Sequence, residues 1–155
     1  MIKVENVTKI FNGKTVLDNV STLFENGKCN LIIGKSGSGK TVLMKCLVGL
    51  HTPDEGYIHF DDRILRHLSK AEKVNLRKDI GMLFQGGALF DSMNVEENIM
   101  FPIRMFQKSD YKTMRKRVDF CLDRVNLGGI NKMMPSELSG GMQKRVAIAR
   151  AIATQ

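Results

Sequence analysis

The segment "IIGKSGSGKTVLMKCLVGL", Ile32 to Leu50, decides how this chain folds. Both of its ends are apolar, and its middle consists of Gly, Ser and Lys. The left end is a short apolar run typical of a buried strand, whereas the apolar residues of the right end recur at helical spacing. Two interpretations fit such a middle section: a flexible linker, or a loop that binds phosphate.

The spacing of the segment favours the phosphate loop. Gly34, Gly39, Lys40 and Thr41 fit the P-loop pattern G-x-x-x-x-G-K-[ST], which follows a strand and begins a helix. A linker would not be expected between two apolar elements without a polar spacer. The glycines allow successive backbone N–H groups to point inward, and with the helix N-terminus these donors form an anion site.

The P-loop pattern assigns roles to individual side chains. Lys40 supplies a positive charge to the β- and γ-phosphates, and the Thr41 hydroxyl is placed to ligate Mg²⁺. The pattern therefore predicts a nucleotide and Mg²⁺ as ligands. The predicted nucleotide-binding residues are Gly34, Lys35, Ser36, Gly37, Ser38, Gly39, Lys40, Thr41 and Val42.

Composition and cysteine usage set the broad class. The chain has 155 residues, 43% of them apolar, which suits one domain with a packed core. No apolar run approaches the roughly 18 residues of a membrane span, and the charged N-terminus does not resemble a signal peptide, so we expect a cytoplasmic chain. Cys29, Cys46 and Cys121 predict three buried thiols, and the histidines show no metal-ligand spacing.

The net charge of +8 is concentrated in the last third of the chain. A basic region can indicate nucleic acid or anionic lipid as a partner. The segment "YKTMRKRVDFCLDRV" instead favours a solvated helix face, because Tyr111, Met114, Val118, Leu122 and Val125 form one apolar stripe. Aromatic residues do not alternate with the basic ones, so we expect no nucleic-acid partner.

Alternation and turn residues predict the secondary structure. The first thirty residues predict short antiparallel strands with turns at Asn12-Gly13 and Asn26-Gly27. Further strands are predicted at Leu31–Ile33, in "DEGYIHFDDRIL" with a turn at Asp61 and Asp62, and in "DIGMLFQ". Helices are predicted for residues 41–50, after the capping boxes Ser69–Glu72 and Asn94–Glu97, and from Ser109 and Ser139 onward. This order of strands and helices predicts an α/β fold.

A second motif names a family. "LSGGMQKRVAIARAIA", residues 138–153, resembles the signature sequence of ABC-type ATPases, and all 155 residues follow the family's motif order. The resemblance implies a P-loop NTPase ABC cassette, here with an incomplete RecA-like core. It divides the chain into an N-terminal antiparallel β subdomain with part of the core (1–85), a helical subdomain (86–137) and the signature helix (138–155).

The same resemblance assigns two residues outside the P-loop. Gln85 matches the family's Q-loop and would act with Lys40 in catalysis and with Thr41 at Mg²⁺. Phe11 lies where the family keeps an aromatic that stacks on adenine. The alternatives are a core position for Phe11 and a surface polar position for Gln85.

In the family, the signature acts across a head-to-tail dimer, on ATP bound at the partner's P-loop. Ser139 and the N–H groups of Gly140 and Gly141 would form this second anion site. A plain N-cap role for Ser139 explains neither glycine. The residues predicted to act in trans are Leu138, Ser139, Gly140, Gly141, Met142 and Gln143, with Met142 departing from the commonest Gln.

The phrases "GMLFQGGALFDSM" and "PSELSGGM" resemble the ATPase subunits of Mla-type phospholipid transporters. This implies an integral membrane permease bound at the groove after Gln85, and a location on the cytoplasmic face of the inner membrane. The alternatives are another importer, a lipoprotein-release ATPase, or a soluble ABC protein of translation or DNA repair.

The family places its Walker B strand, D-loop and switch histidine beyond the signature, and no matching residues follow Ala153. We therefore expect a truncated cassette with a gap in its sheet. Such a fragment would hydrolyse no ATP and would self-associate through unpaired strand edges. A nonfunctional fragment of a functional family is a third hypothesis.

Overall fold

The computed structural model describes residues 1–84 and 86–155, which form two compact units, Met1–Arg77 and Lys78–Gln155. The first unit begins with a long hairpin of β1 (Ile2–Phe11) and β2 (Lys14–Phe24). The Asn12-Gly13 turn joins them, with φ of 49° and 77°. Positive φ at both positions is the geometry that matches the twist of paired strands, so the sequence prediction for this turn is confirmed.

Two further strands complete the sheet of the first unit. They are β3 (Glu55–Phe60) and β4 (Arg63–Ile64), and the strand order is β2-β1-β3-β4 with every pair antiparallel. The predicted turn between β3 and β4 is present, and Asp61 there has a φ of 50°. The N-terminal ammonium lies 2.7 Å from the Asp61 carboxylate, which fixes the start of β1 beside this turn.

The first unit also contains two helices, α1 (Lys40–Leu47) and α2 (Lys70–Lys78). A 3₁₀ turn at Leu65–His67 precedes α2. The predicted capping box of α2 is present. The Ser69 N–H donates to Glu72 Oε2 at 2.8 Å, and the Glu72 N–H donates to Ser69 Oγ at 3.3 Å. The buried apolar residues of the first unit are Val4, Val7, Leu17, Leu43, Cys46, Leu47, Ile58, Phe60, Leu65 and Leu76.

Two predicted strands are wrong. Residues 31–33 have no regular structure, and Leu31 and Ile33 are 82% and 81% exposed. Residues 79–84 of the predicted "DIGMLFQ" strand are also irregular, and its Gln85 lies outside the described residues. Neither segment finds a strand to pair with in residues 1–84 and 86–155. Because a strand is defined by its ladder of hydrogen bonds, an apolar run without a neighbouring strand stays irregular.

The second unit contains three helices: α3 (Val95–Phe106), α4 (Tyr111–Arg124) and α5 (Gly140–Ala151). The predicted caps of α3 and α5 are confirmed, because Asn94 accepts from the Glu97 N–H and Ser139 accepts from the Met142 N–H. The three helices share one core, made of Val95, Ile99, Met100, Ile103, Met114, Val118, Cys121, Leu122, Leu127, Leu138, Val146, Ala149 and Ala153. Segments 86–137 and 138–155 thus contribute to a common core, and the three-part division itself stays a prediction.

The basic helix follows its predicted stripe with one exception. Met114, Val118 and Leu122 are buried, but Tyr111 is exposed and its hydroxyl donates to the carboxylate of Glu96. The tyrosine prediction is wrong because this hydroxyl has a buried carboxylate within reach and stays outside the apolar core. The helix begins at Tyr111, two residues after its predicted start at Ser109.

Cys46 and Cys121 are buried as predicted, and burial raises the pKa of both thiols. The prediction is wrong for Cys29, which is exposed in the irregular segment that follows β2. Among the described residues, the structure contains no helix with the length and hydrophobicity required to cross a bilayer.

Candidate functional site

The segment from Gly34 to Ser38 forms an exposed loop that leads through Gly39 into helix α1. Gly39 is buried at the helix N-terminus with a φ of 87°. A Cβ atom there would lie 2.8 Å from the Val16 carbonyl oxygen and 2.9 Å from a Leu17 methyl carbon. Strand β2 therefore leaves room for glycine alone at this point, and the hairpin fixes where the loop meets the helix.

The rest of the loop is held by short internal contacts. The Ser38 N–H donates to the Lys35 carbonyl oxygen at 3.2 Å, which closes a turn around Ser36 and Gly37. A Cβ atom on Gly34 would lie 2.7 Å from Ser38 Oγ, so the loop folds tightly onto its own start. Gly37 has a φ of 79°, a conformation that other residues adopt at a cost.

The Lys40 side chain reaches back across this loop. Its ammonium donates to the carbonyl oxygens of Gly34 at 2.8 Å and Lys35 at 2.7 Å. An ammonium has three donors, so one remains for a further acceptor. Thr41 is exposed on the first turn of α1, and Val42 beside it is half-buried. The structure thus brings the predicted residues 34–42 together around one positive charge.

The exposed Thr41 hydroxyl fits the proposed role in holding Mg²⁺. Mg²⁺ in phosphate sites keeps several waters and takes few protein ligands, so a single hydroxyl beside the phosphates is a suitable donor. The second predicted ligand, Gln85, lies outside the described residues. In the remainder of the chain, no cluster of three or more His, Cys, Asp or Glu side chains is arranged to hold a metal ion.

Phe11 ends strand β1, opposite Lys14. Its ring is 37% exposed and meets the His51 ring edge-on, with centroids 5.4 Å apart. The Lys9 ammonium lies 5.2 Å from the Phe11 ring centroid. Because Phe11 is outside the buried core and is carried by the hairpin that contacts Gly39, its surroundings suit a stacking platform better than a core position.

The signature residues lie in the second unit, at the start of α5. Ser139 Oγ accepts from the Met142 N–H at 3.3 Å, and Leu138 is buried in the helical core. Gly140 and Gly141 are exposed, and a Cβ atom on either would meet nothing within 4 Å. Packing within the described chain therefore does not require these two glycines.

The side chains of Met142 and Gln143 contact residues of the second unit. The Gln143 side-chain amide donates to the Pro135 carbonyl oxygen at 2.9 Å and to that of Leu138 at 3.4 Å. Met142 is half-buried against the helical core. These contacts support the signature turn from behind, whereas Ser139 and the two glycines form its exposed part.

Arg150, on α5, was not identified from the sequence. Its guanidinium donates to the carbonyl oxygens of Gly87 and Ala88, both at 2.8 Å, and lies 5.8 Å from the Phe90 ring centroid. Burial lowers the pKa of Arg150. An arginine inside the apolar run "VAIARAIA" is the signal that could have identified it. Arg150 joins the signature helix to the segment that follows Gln85.

A P-loop with its lysine and threonine and a helix that begins with two glycines are features of the ATP-binding cassette class. The sequence profile of the family described as "ABC transporter" matches residues 17–155, and the chain belongs to this family.

Two relatives show how far the likeness extends. The methionine import ATP-binding protein MetN of Clostridium tetani is 42% identical over 152 residues, which are 98% of this chain and 48% of that protein. The intermembrane phospholipid transport system ATP-binding protein MlaF of Haemophilus influenzae is 42% identical over 153 residues, 99% of this chain and 58% of that protein. The chain thus spans about half the length of these relatives.

The fold is also that of a solved cassette. The dimeric structure of a post-hydrolysis state of the ATP-binding cassette MJ0796, bound to ADP and Pi, matches with a TM-score of 0.89 and 33% identity. The match covers 99% of this chain and 70% of that one. The predicted fold class, an ABC cassette of mixed α/β structure, is confirmed.

Proposed function

We propose that the protein is the ATP-binding subunit of an ABC transporter and that it binds ATP, with Mg²⁺, at residues 34–42. The observation that carries the proposal is the P-loop itself, with the Lys40 ammonium held across it by two carbonyl oxygens. Phosphate oxygens would take the remaining ammonium donor and the backbone donors at the start of α1. Phe11 would stack on the adenine, and Gln85 would complete the Mg²⁺ site.

The intact protein would hydrolyse ATP within a head-to-tail dimer. Support comes from Gly140 and Gly141, whose exposed surfaces have room that their own unit does not use. Ser139 and the adjoining N–H groups would contact ATP held at the partner's P-loop. The solved cassette MJ0796 with ADP and Pi is itself dimeric.

A membrane permease would bind the segment after Gln85. Phe90 in this segment is 40% exposed and packs on Phe101, with ring centroids 4.8 Å apart. Arg150 holds the preceding backbone, so the segment is shaped by the signature helix. The protein would then be peripheral, on the cytoplasmic face of the inner membrane.

For the transported substrate we propose phospholipid, on the wording of "GMLFQGGALFDSM" and "PSELSGGM" and on the likeness to MlaF. MetN is equally identical, so methionine import is the second candidate.

Transport by proteoliposomes that hold the intact protein and its copurified permease separates these two candidates. Phospholipid transport should require ATP and disappear in Lys40→Ala, and labelled methionine should not be transported. ATP-dependent methionine transport without lipid transport would reverse the assignment, and loss of neither activity in Lys40→Ala would contradict the P-loop assignment.

A further inference from the structure

The first unit contains a second positively charged site, at the opposite end of α1 from the P-loop. A cavity of about 260 Å³ lies beyond the helix C-terminus, and His51, Arg66, Lys73 and Arg77 line it. The P-loop ends at Gly39, whereas the cavity begins at Gly49. Because α1 spans eight residues, or about 12 Å, the two sites are separate.

Arg66 and Arg77 are positioned by hydrogen bonds to backbone carbonyl oxygens, which carry no net charge. Arg66 Nη2 donates to the carbonyl oxygens of Pro53 at 2.9 Å and Asp54 at 3.1 Å. Arg77 Nη2 donates to the Gly49 carbonyl oxygen at 3.3 Å. Each guanidinium has five N–H donors, so most donors of both remain for a ligand. Fixing a charged side chain in advance lowers the entropy cost of binding.

Nearby carboxylates are committed elsewhere. Asp54 accepts from the Ile10 N–H at 2.6 Å and from the Lys9 ammonium at 3.1 Å, and Glu72 accepts from the Ser69 N–H. Within residues 1–84 and 86–155, no carboxylate lies within 4.0 Å of the charged nitrogens of Arg66, Lys73 or Arg77. Among the described residues, no Asp or Glu side chain lines the cavity, and the Asp54 carboxylate acts on Arg66 only at a distance beyond that of an ion pair.

The cavity wall also contains apolar groups. Ile58 and Leu65 line it and are both buried. Low-dielectric surroundings strengthen the attraction between fixed cations and an incoming anion. The cavity volume of about 260 Å³ is just below the roughly 300–1,000 Å³ typical of small-molecule pockets, so the cavity suits a small ligand.

We propose that this cavity binds a phosphate group, either as a free phosphate or as the phosphorylated headgroup of a lipid. Planar guanidinium groups match phosphate oxygens in pairs, and the Lys73 ammonium adds a point charge. A free phosphate brings up to two negative charges to these three cations, and the phosphodiester of a lipid headgroup brings one charge on two non-bridging oxygens. The inference does not depend on the proposed transport function.

The test is a calorimetric titration of inorganic phosphate into the intact protein whose P-loop is saturated with ADP. One phosphate site that responds to Lys73 is expected, and phosphate bound beside ADP at the P-loop would be recognised because it does not respond to Lys73. Lys73→Glu should weaken that binding at least tenfold, and Lys73→Gln at least threefold. The matched control is Lys70→Glu on the exposed part of α2, which changes the net charge equally and should alter the affinity less than twofold.

The side-chain N–H resonances of Arg66 and Arg77 provide a readout on the wild-type protein, independent of how well a variant folds. They should shift during the phosphate titration. Absence of a site in the ADP-loaded protein, unshifted arginine resonances, or equal weakening by Lys70→Glu and Lys73→Glu would each overturn the proposal. ADP binding measured in the same experiment reports on the P-loop separately.

Vesicles distinguish the two sources of the phosphate group. The ADP-loaded protein is floated with phosphatidylglycerol vesicles and with phosphatidylcholine vesicles. Binding to phosphatidylglycerol that Lys73→Glu abolishes and Lys70→Glu retains would assign the site to lipid headgroups. Phosphate binding without vesicle binding would assign it to a soluble phosphate, and binding of neither would overturn the proposal.

Discussion

The Lys40 ammonium is the positive charge that lies across the P-loop. Replacing it with alanine removes the ammonium that a phosphate would contact, and hydrogen bonds to charged groups contribute about 1.5–3 kcal/mol. Lys40→Ala should therefore weaken ATP binding by roughly 10- to 150-fold in an equilibrium titration. Lys28→Ala, in the exposed segment before the loop, is the control and should bind normally. Equal affinities in both variants would count against the P-loop assignment.

Substitution of Phe11 distinguishes two possible roles of its ring, stacking on adenine and packing in the core. Aromatic stacking on a base contributes about 1–3 kcal/mol, so Phe11→Ala should weaken ATP binding by that amount. Because the ring is outside the buried core, the melting temperature should change little. Phe11→Tyr keeps the stacking surface and should bind as the wild type does. A Phe11→Ala variant that loses stability and retains its nucleotide affinity would show that the ring is structural.

The sequence could identify the P-loop residues because their pattern is local, but it could not show how the loop is closed. Gly39 is required by β2, more than twenty residues earlier, and that contact has no local sequence signal. Arg150 was missed for a similar reason. Its partners are the carbonyl oxygens of Gly87 and Ala88, and backbone acceptors are invisible in a pattern of side chains.

At the scale of elements, a glycine-to-alanine substitution should have different effects on stability at the starts of helices α1 and α5. Gly39→Ala would push a Cβ atom against the Val16 carbonyl oxygen and should lower the free energy of unfolding by roughly 1–3 kcal/mol. Gly140→Ala has open space and should fold as the wild type does. Urea unfolding of both variants measures this difference. A destabilised Gly140→Ala with an unaffected Gly39→Ala would contradict the described packing.

Asp54 ties the start of β3 to the end of β1 and predicts a pH dependence. The Ile10 N–H, followed by the Lys9 ammonium, lowers the pKa of the Asp54 carboxyl below its ordinary value of 3.8. The ionised carboxylate therefore stabilises the folded state above that pH, and this contribution is lost as the pH falls through the lowered pKa. Asp54→Asn should be less stable than the wild type at neutral pH, and the gap should close below about 3.8.

Urea titrations at a series of pH values measure that gap, with Asp62→Asn in the β3–β4 turn as the control. A stability difference between wild type and Asp54→Asn that stays constant down to the lowest pH would contradict this account of the Asp54 bonds.

Elements whose signals are local were predicted well, and those that need a distant partner were not. The caps at Ser69, Asn94 and Ser139 each satisfy donors within the same turn, so a few residues determine them. The Asn12-Gly13 hairpin is equally local. Residues 31–33 and 79–84 are apolar like buried strands, but their state depends on chain that must pair with them, and the described chain offers no such neighbour.

At the scale of the whole molecule, the P-loop lies in one compact unit and the signature lies in the other. Residues 34–42 belong to Met1–Arg77 and residues 138–143 to Lys78–Gln155. The open space at Gly140 and Gly141 supports use of the signature by a second subunit. We propose that ATP joins the P-loop of one subunit to the signature of another.

Ser139→Arg tests this claim through assembly. The bulky cation would occupy the position proposed for the partner's γ-phosphate, while Lys40 and the P-loop of the same subunit stay intact. ATP binding by the monomer should therefore remain near normal, and the ATP-dependent dimer should not form. Ser136→Arg, an exposed serine three residues earlier, is the matched control and should dimerise.

The direct measurement is the molar mass of the intact protein by light scattering, with ATP and without Mg²⁺ so that the nucleotide is not consumed. We predict that ATP doubles the molar mass of the wild type and of Ser136→Arg. We predict that Ser139→Arg binds ATP and stays monomeric. A Ser139→Arg variant that dimerises with ATP as the wild type does would contradict it.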